Sequence, residues 1–152
     1  MLLLGEILYV ERRLAGSVLQ QLIDACSNTA LAAALNEHLA ETRLHVERVQ
    51  TAFQRIEVAP TANLSASFES AVSQHDKLAG SIVAPGLGDA FHAATALRTE
   101  HWEIASYTSL LELGQALGYR EELTDLRANL NDEEHARDTL LGLIAQLTGR
   151  AS

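Results

Sequence analysis

Acidic and histidine side chains recur at helical spacing along this sequence. Glu11 lies in the middle of an apolar face on the first predicted helix, and His38, Glu41 and His45 follow the apolar face of the second. Each residue turns about 100° around a helix axis, so residues three, four or seven apart share a face. Because an ionised carboxylate in a hydrocarbon core is unfavourable alone, the pattern indicates a bound cation or shared protons.

The third and fourth predicted helices add further carboxylates. Glu100 and Glu103 project from the inner face of the third helix. On the fourth, Glu133 and Glu134 flank the apolar stripe on opposite sides, and Asp138 lies further round beyond Glu134. The residues of that stripe are Leu123, Leu126, Leu130, Leu141 and Ile144. The three acidic residues of the fourth helix remain alternatives.

Carboxylates gathered from four helices, with imidazoles from some, are typical of a bundle core that holds two metal ions. Oxygen and imidazole ligands favour iron or manganese over a metal that prefers thiolate. The predicted ligands are Glu11, His38, Glu41, His45, Glu100, Glu103, Glu134 and Asp138. We therefore expect two iron or manganese ions as cofactors.

The remaining histidines and the cysteine are assigned no such role. His135 projects away from the stripe of the fourth helix, so it is expected on the surface. His75, His92 and His101 have no inward register, and Cys26 is expected to be a small packed residue.

Long helices must position these side chains, because only Pro60 and Pro85 are present to interrupt them. The predicted helices are Leu2–Cys26, Ala30–Ile56, Ala90–Leu117 and Arg120–Leu147. The polar run Ser27–Thr29 supplies N-caps for the second helix. Asp89 is the expected N-cap of the third, and Gly118 its C-terminal glycine.

Between the second and third helices, residues 57–88 predict a shorter helix. Leu64, Phe68, Val72 and Leu78 recur there at helical spacing. The expected fold is an all-α, antiparallel, ferritin-like four-helix bundle with a crossover connection that contains this extra helix. A chain of 152 residues is the size of one domain, so residues 1–152 are predicted to form a single one.

Composition excludes several classes of partner. A net charge of -9 and an isoelectric point near 5.0 argue against nucleic acid and anionic membrane surfaces. No run approaches the roughly 18 apolar residues that span a bilayer. Because the sequence shows no signal-peptide pattern and only one cysteine, we expect a cytoplasmic protein.

Several runs of the sequence resemble the YciE/YciF-like family of bacterial ferritin-like proteins. They are Glu37–Thr42, Val46–Arg48, Glu100–Ala105 with Tyr107, and Glu133–Asp138. The resemblance covers nearly the whole chain and implies the fold, a di-metal site and a homodimer. The pair Glu100 and Tyr107 is similar to a ligand glutamate and the tyrosine beside it in ferritins and rubrerythrins, which favours Glu100 over Glu103.

The sequence also departs from that pattern. Ferritins and rubrerythrins usually carry Glu-x-x-His on two helices, whereas here Glu41 has His38 before it and His45 after it. On the fourth helix, Arg137 and Asp138 follow Glu134 where the histidine would stand. The second half of the site is therefore expected to be irregular.

The sequence supports two main hypotheses for the function. The first is a di-metal carboxylate protein that reacts with oxygen or peroxide as an oxidase, peroxidase or catalase-like enzyme in stress. It would need a separate redox partner, since no cysteine-ligated module is attached. The alternative is a non-enzymatic stress or scaffold protein whose polar core holds no metal. Iron storage is a third and weaker idea, because nothing in the sequence indicates a cage.

Overall fold

The regular secondary structure is helical throughout the described part of the chain, residues 1–82 and 87–149 of a computed structural model. The elements are α1 (Leu2–Arg13), a π-helical turn (Leu14–Val18), α2 (Leu19–Ala25), α3 (Thr29–Arg55), α4 (Ala66–Ala79), α5 (Leu87–Ala116) and α6 (Leu126–Leu147). The predicted all-α class is confirmed. Among the described residues, no helix is both long and apolar enough to cross a bilayer.

Two predicted helix ends are confirmed by their backbone chemistry. Asn28 caps α3, since its side chain accepts a hydrogen bond from the Leu31 amide at 3.0 Å. After α5, Gly118 has a φ of +88°, and the Tyr119 amide donates to the Gly114 carbonyl at 2.8 Å. This is the Schellman arrangement, in which a residue with positive φ ends the helix.

Other boundaries differ from the prediction. Helix α5 begins at Leu87, so Asp89 lies inside the first turn and is not the N-cap. Its carboxylate instead accepts a hydrogen bond from the Ser27 amide at 2.8 Å and joins α5 to the loop before α3. Helix α6 begins at Leu126 and not at Arg120, because residues 120–125 form turns. Pro85 lies outside the described residues.

The first predicted helix is not continuous. A π-helical turn, Leu14–Val18, separates α1 from α2 shortly after Glu11. A π turn inserts an extra residue into the helix, and such turns frequently occur at functional sites. The insertion changes the register, so α1 and α2 do not present one uninterrupted apolar stripe.

The predicted short helix is confirmed as α4. Ser65 caps it by accepting from the Phe68 amide at 3.4 Å, and Phe68 is its buried residue. Glu69 ties it to α1, where it accepts from Tyr9 at 2.9 Å and from Arg13 at 2.6 Å. The capping residue Ser65 also donates to Glu6 of α1 at 2.7 Å, and His75 lies 3.0 Å from His92 of α5, so polar contacts join α4 to both helices.

Two apolar clusters form the core, one toward each end of the long helices. One includes Leu31, Leu35 and Leu140, and the other includes Phe53 and Leu126. Helix α6 packs against α3 and α5, and α3 packs against α1 and α2. The polar residues of interest lie between the two apolar clusters along the helices.

Candidate metal centre

Six buried acidic and histidine side chains meet in the middle of the core. They form two groups that share Glu133, and within each group the possible ligand atoms lie within 4.8 Å of one another. One group is His38, Glu100, Glu103 and Glu133, and the other is Glu11, His45 and Glu133. The side chains come from α1, α3, α5 and α6, so the cluster forms only when these helices are packed.

Glu133 lies between the two histidines. His45 Nδ1 is 3.0 Å from Glu133 Oε1 and 3.4 Å from Glu11 Oε1. His38 Nε2 is 3.6 Å from Glu133 Oε2 and 3.5 Å from Glu100 Oε1. The two oxygens of one carboxylate therefore face two separate imidazoles, as a carboxylate shared by two ions would.

Most polar atoms of the cluster lie near other cluster atoms but make no hydrogen bond of acceptable geometry. They are both carboxylate oxygens of Glu103 and Glu133, Oε2 of Glu11 and Glu100, and Nδ1 of His38 and His45. Each buried polar atom without a partner costs about 1–3 kcal/mol, and more when it is charged. The cluster is thus unfavourable unless a cation or added protons satisfy it.

A carboxylate outside the two groups lies beside each histidine. Glu41 Oε2 is 3.5 Å from His38 Nδ1, and Asp132 Oδ2 is 3.2 Å from His45 Nε2. Arg48 holds Asp132 at 2.9 Å. In metal sites, such a carboxylate fixes the imidazole orientation and tautomer and makes the other nitrogen a better ligand.

A buried hydrogen-bond chain supports Glu11. The Tyr107 hydroxyl donates to Glu11 Oε1 and accepts from Asn129 Nδ2, the latter at 2.8 Å. Arg48 Nη1 in turn donates to Asn129 Oδ1 at 3.0 Å. Tyr107 thus holds one predicted ligand in place, and Asn129 and Arg48, which the sequence did not single out, continue the chain toward the surface.

Burial and crowding change the acidity of the carboxyl groups. Burial raises the pKa of Glu103 well above its usual value, and Glu133, Glu11 and Glu100 raise it further. The pKa of Glu133 is likewise raised well above its usual value, first by burial and then by Glu11 and Glu100. Without a cation, these carboxyl groups retain protons to higher pH than exposed glutamates do.

The pKa values of His38 and His45 are raised, which favours their protonated, positively charged forms. Burial alone would lower the pKa of His38, but Glu100 and Glu41 outweigh it, so the pKa is raised. His45 behaves in the same way, because Glu11 and Glu103 outweigh its burial. The net field of the cluster is therefore negative and attracts cations.

The structure separates the alternatives on α6. Glu134 and Asp138 are exposed, and Asp138 pairs with Arg137 at 2.9 Å, so the structure does not bring these two predicted ligands into the cluster. Glu133 is fully buried in their place. Glu41 is half-buried beside His38 and does not belong to either group.

The other predicted inward positions are confirmed, although their role as ligands stays a prediction. Glu11, His38, His45, Glu100 and Glu103 are all buried.

The buried position of Glu133 can be traced in the sequence. The apolar stripe of the fourth helix was predicted to contain Leu141, but that residue is 48% exposed and Leu140 is buried. Leu126, Glu133 and Leu140 are each seven residues apart, which places them on one face. The spacing from Leu140 favours Glu133 and the spacing from Leu141 favours Glu134, and the packing of α6 against α3 and α5 selects Glu133.

The histidines outside the cluster give a mixed result. His135 and His101 are exposed, as expected. His92, which was assigned no inward register, is buried and lies 3.0 Å from His75. The prediction for His92 was wrong because α4 covers this side of α5.

A small cavity reaches the cluster between α3 and α6. Its volume is about 30 Å³, and its lining includes His38, Glu41, Glu100 and His135. This space holds about one water molecule or one ion. The cavity therefore reaches three of the predicted ligands, His38, Glu41 and Glu100.

The helices and the cluster define an all-α protein with a candidate carboxylate and imidazole metal centre in its core. A family described as "Domain of unknown function (DUF892)" matches residues 1–152, and the chain belongs to this family. Protein YciF of Escherichia coli (strain K12) is 31% identical over 140 residues, covering 91% of this chain and 83% of that protein.

Two solved structures are similar to this chain. The structure titled "The crystal structure of the E.coli stress protein YciF" has a TM-score of 0.89 and 28% identity, covering 97% of this chain and 93% of that one. The structure of "YcfI, a putative structural protein from Rhodopseudomonas palustris" has a TM-score of 0.88 and 29% identity, covering 91% and 88%. The predicted resemblance to the YciF-like family is confirmed.

Proposed function

We propose that the chain is a ferritin-like four-helix bundle whose core binds two iron or manganese ions. The observation that supports this most is the set of buried, unpartnered oxygens around Glu133. Glu11, Glu100 and Glu103 supply the other carboxylates, and these donors suit iron or manganese. Four ionised carboxylates outweigh two protonated imidazoles by two charges, so the cluster needs added protons or cations.

The two halves of the site would use different imidazole nitrogens. His38 would bind through Nε2, with Glu41 on its Nδ1 side, and His45 through Nδ1, with Asp132 on its Nε2 side. Glu133 would be shared by the two ions. Both histidines come from α3, which accounts for the absence of a histidine ligand on α6.

When bound, the ions would supply reactivity toward oxygen or peroxide, which fits an oxidase, peroxidase or catalase-like role in stress. The chain's own residues hold the site. Tyr107 fixes the carboxylate of Glu11, and the apolar clusters on both sides exclude water from the cluster. The small cavity beside His38 would admit a molecule about the size of water.

Metal loading tests this proposal. The purified protein is treated with chelator, loaded with ferrous iron without oxygen, desalted and analysed for metal, and we expect about two ions per chain. Adding oxygen or peroxide should then change the visible absorbance. Retention of no iron beyond that of a Glu133→Ala variant would overturn the proposal.

Two neighbouring glutamates provide a matched pair for the same measurement. Glu133→Gln removes the shared ligand and should lower the metal content to one ion or fewer per chain. Glu134→Gln changes the same chemical group on an exposed position and should leave the content unchanged. Equal losses in both variants would show that the metal binds elsewhere.

The alternative is a scaffold or stress protein with a metal-free polar core. The raised pKa values of Glu103 and Glu133 favour it, because protonated carboxyl groups could share hydrogen bonds inside the cluster. In that case Glu103→Gln would keep or increase stability, and no variant of the cluster would alter metal content.

The partners and location are part of the same proposal. We expect a cytoplasmic homodimer that receives electrons from a separate redox protein. Sedimentation equilibrium distinguishes a dimer from a monomer or a storage cage, and a cage would overturn this part of the proposal.

A further inference from the structure

An elongated apolar cavity lies between the π-helical turn with α2, on one side, and α4 and α5 on the other. Its volume is about 450 Å³. Leu14, Val18 and Leu22 line one side, Phe68 and Val72 line the α4 side, and Phe91 lies on α5. Volumes of 300–1,000 Å³ with mostly apolar walls are typical of small-molecule sites.

The two ends of this cavity differ in chemistry. The lining residues of α5 include His92 and Glu100, which are eight residues apart, or about 12 Å at 1.5 Å per residue. Glu100 also belongs to the buried carboxylate cluster. The cavity therefore extends from a histidine pair at one end to the candidate metal centre at the other.

The histidine pair is built by α4 and α5 together. His75 Nε2 lies 3.0 Å from His92 Nδ1, and the His75 ring stacks on Phe91 with centroids 5.3 Å apart and an interplanar angle of 8°. His75 Nδ1 lies 3.3 Å from the Asp76 carboxylate. Burial, followed by the nearby His75, lowers the pKa of His92, which keeps its imidazole neutral at neutral pH.

The chain of hydrogen bonds assigns the protons. A carboxylate oxygen accepts, so a neutral His75 donates from Nδ1 to Asp76 and accepts at Nε2. His92 must then donate from Nδ1, which leaves its Nε2 as an acceptor. No residue in the described ranges hydrogen-bonds that nitrogen, and His92 lines the cavity. A ligand that meets it must bring a hydrogen-bond donor.

Charge narrows the choice of donor. A carboxylate head group has no proton to donate to His92, and Asp76 and Glu100 in the lining repel it, whereas the basic lining residue Arg98 is exposed. An ammonium group could donate, but burying it among apolar walls costs several kcal/mol. A hydroxyl group donates without carrying charge, so it fits both the histidine and the walls.

We propose that this cavity binds one neutral apolar molecule bearing a single hydroxyl group, a fatty or aromatic alcohol, with the hydroxyl on His92. The apolar body would lie along α5 and end beside Glu100. This position makes the molecule a candidate substrate of the metal centre, and that last step alone rests on the proposed function.

Calorimetric titration of the full chain with n-octanol tests the binding step. The protein is kept in chelator, so the result does not depend on metal. We expect one n-octanol per chain, with n-octanoate and n-octylamine binding at least tenfold more weakly. Binding of n-octanoate or n-octylamine as tightly as n-octanol would overturn the assignment of the head group.

Neighbouring positions on α4 provide the control for the location. Val72→Trp fills the cavity and should abolish n-octanol binding, whereas Ser73→Trp places the same ring on an exposed position and should leave it unchanged. Thr95→Phe fills the cavity from α5 and serves if Val72→Trp does not fold. Equal binding by filled and control variants would overturn the proposal.

His92→Phe tests the hydrogen bond itself. It keeps the ring and removes the acceptor, so n-octanol should bind about tenfold more weakly, and unchanged binding would contradict the role of His92. Failure of the cavity and failure of the metal centre are separable, because metal content is measured without alcohol and alcohol binding without metal.

Discussion

At the scale of single residues, the hydroxyl of Tyr107 stabilises the folded protein. It is fully buried and bonds both Glu11 and Asn129. Tyr107→Phe removes both of these buried hydrogen bonds, so we expect it to lower the free energy of unfolding by about 1–3 kcal/mol. Urea denaturation measures this change.

Tyr119 provides the control for that measurement. Its side chain is 43% exposed, so Tyr119→Phe should change stability by less than about 0.5 kcal/mol. Similar losses in both variants would contradict the assigned role of the buried hydroxyl.

The environment of Cys26 lowers the reactivity of its thiol. Burial, with a smaller effect of Asp89, raises the pKa of the Cys26 thiol from 9.0 to about 11. The thiolate is the reactive form, so native protein at pH 8 should react with a disulfide reagent about a hundredfold more slowly than protein unfolded in urea. Rapid labelling of the native protein would show that the thiol is accessible and ionised.

At the scale of elements, the space around Gly5 and Gly142 differs, because a neighbouring segment approaches the first closely and not the second. A Cβ at Gly5 would lie 2.7 Å from the Thr61 carbonyl oxygen, because the loop before α4 bonds α1 there. The same atom at Gly142 of α6 meets nothing within 4 Å.

We therefore expect opposite effects from the same substitution. Gly5→Ala should destabilise the protein, because backbone must move, whereas Gly142→Ala should stabilise it by up to about 1 kcal/mol through its better helix propensity. Thermal melts of both variants measure the difference. A stabilising Gly5→Ala would mean that the loop before α4 does not pack on α1.

At the scale of the whole molecule, the metal-free protein should lose stability as the pH rises, and bound metal should counteract this loss. The pKa values of Glu103, Glu133, His38 and His45 are all raised in the folded protein. The folded state then binds more protons than the unfolded chain, so its stability falls as pH rises above the unfolded values. Metal-free protein should melt several degrees lower at pH 8 than at pH 6.

Metal should have the larger effect at the higher pH, because it binds the deprotonated groups. Manganese should therefore raise the melting temperature more at pH 8 than at pH 6, and scanning calorimetry measures both. Glu103→Gln should reduce the pH dependence of the metal-free protein, and Glu134→Gln should not. A stability that rises toward pH 8 without metal would contradict the raised pKa values.

Local sequence patterns were sufficient to predict the helical segments and the inward positions of most site residues. Apolar periodicity and the scarcity of proline predicted the helical segments, because helix formation depends on spacing within one segment. The same periodicity placed Glu11, His38, His45, Glu100 and Glu103 inward, and burial confirmed each position. These properties are local to one helix face.

Which carboxylate and histidine side chains come into contact depends on how the helices pack together. Glu133 rather than Glu134 faces the core because α6 is oriented by its contacts with α3 and α5, and a rotation of one residue changes the inward carboxylate. The π-helical turn and the His75 and His92 pair likewise depend on packing between separate elements. Periodicity gives the face of a helix, but contacts with neighbouring helices determine which residues of that face share one site.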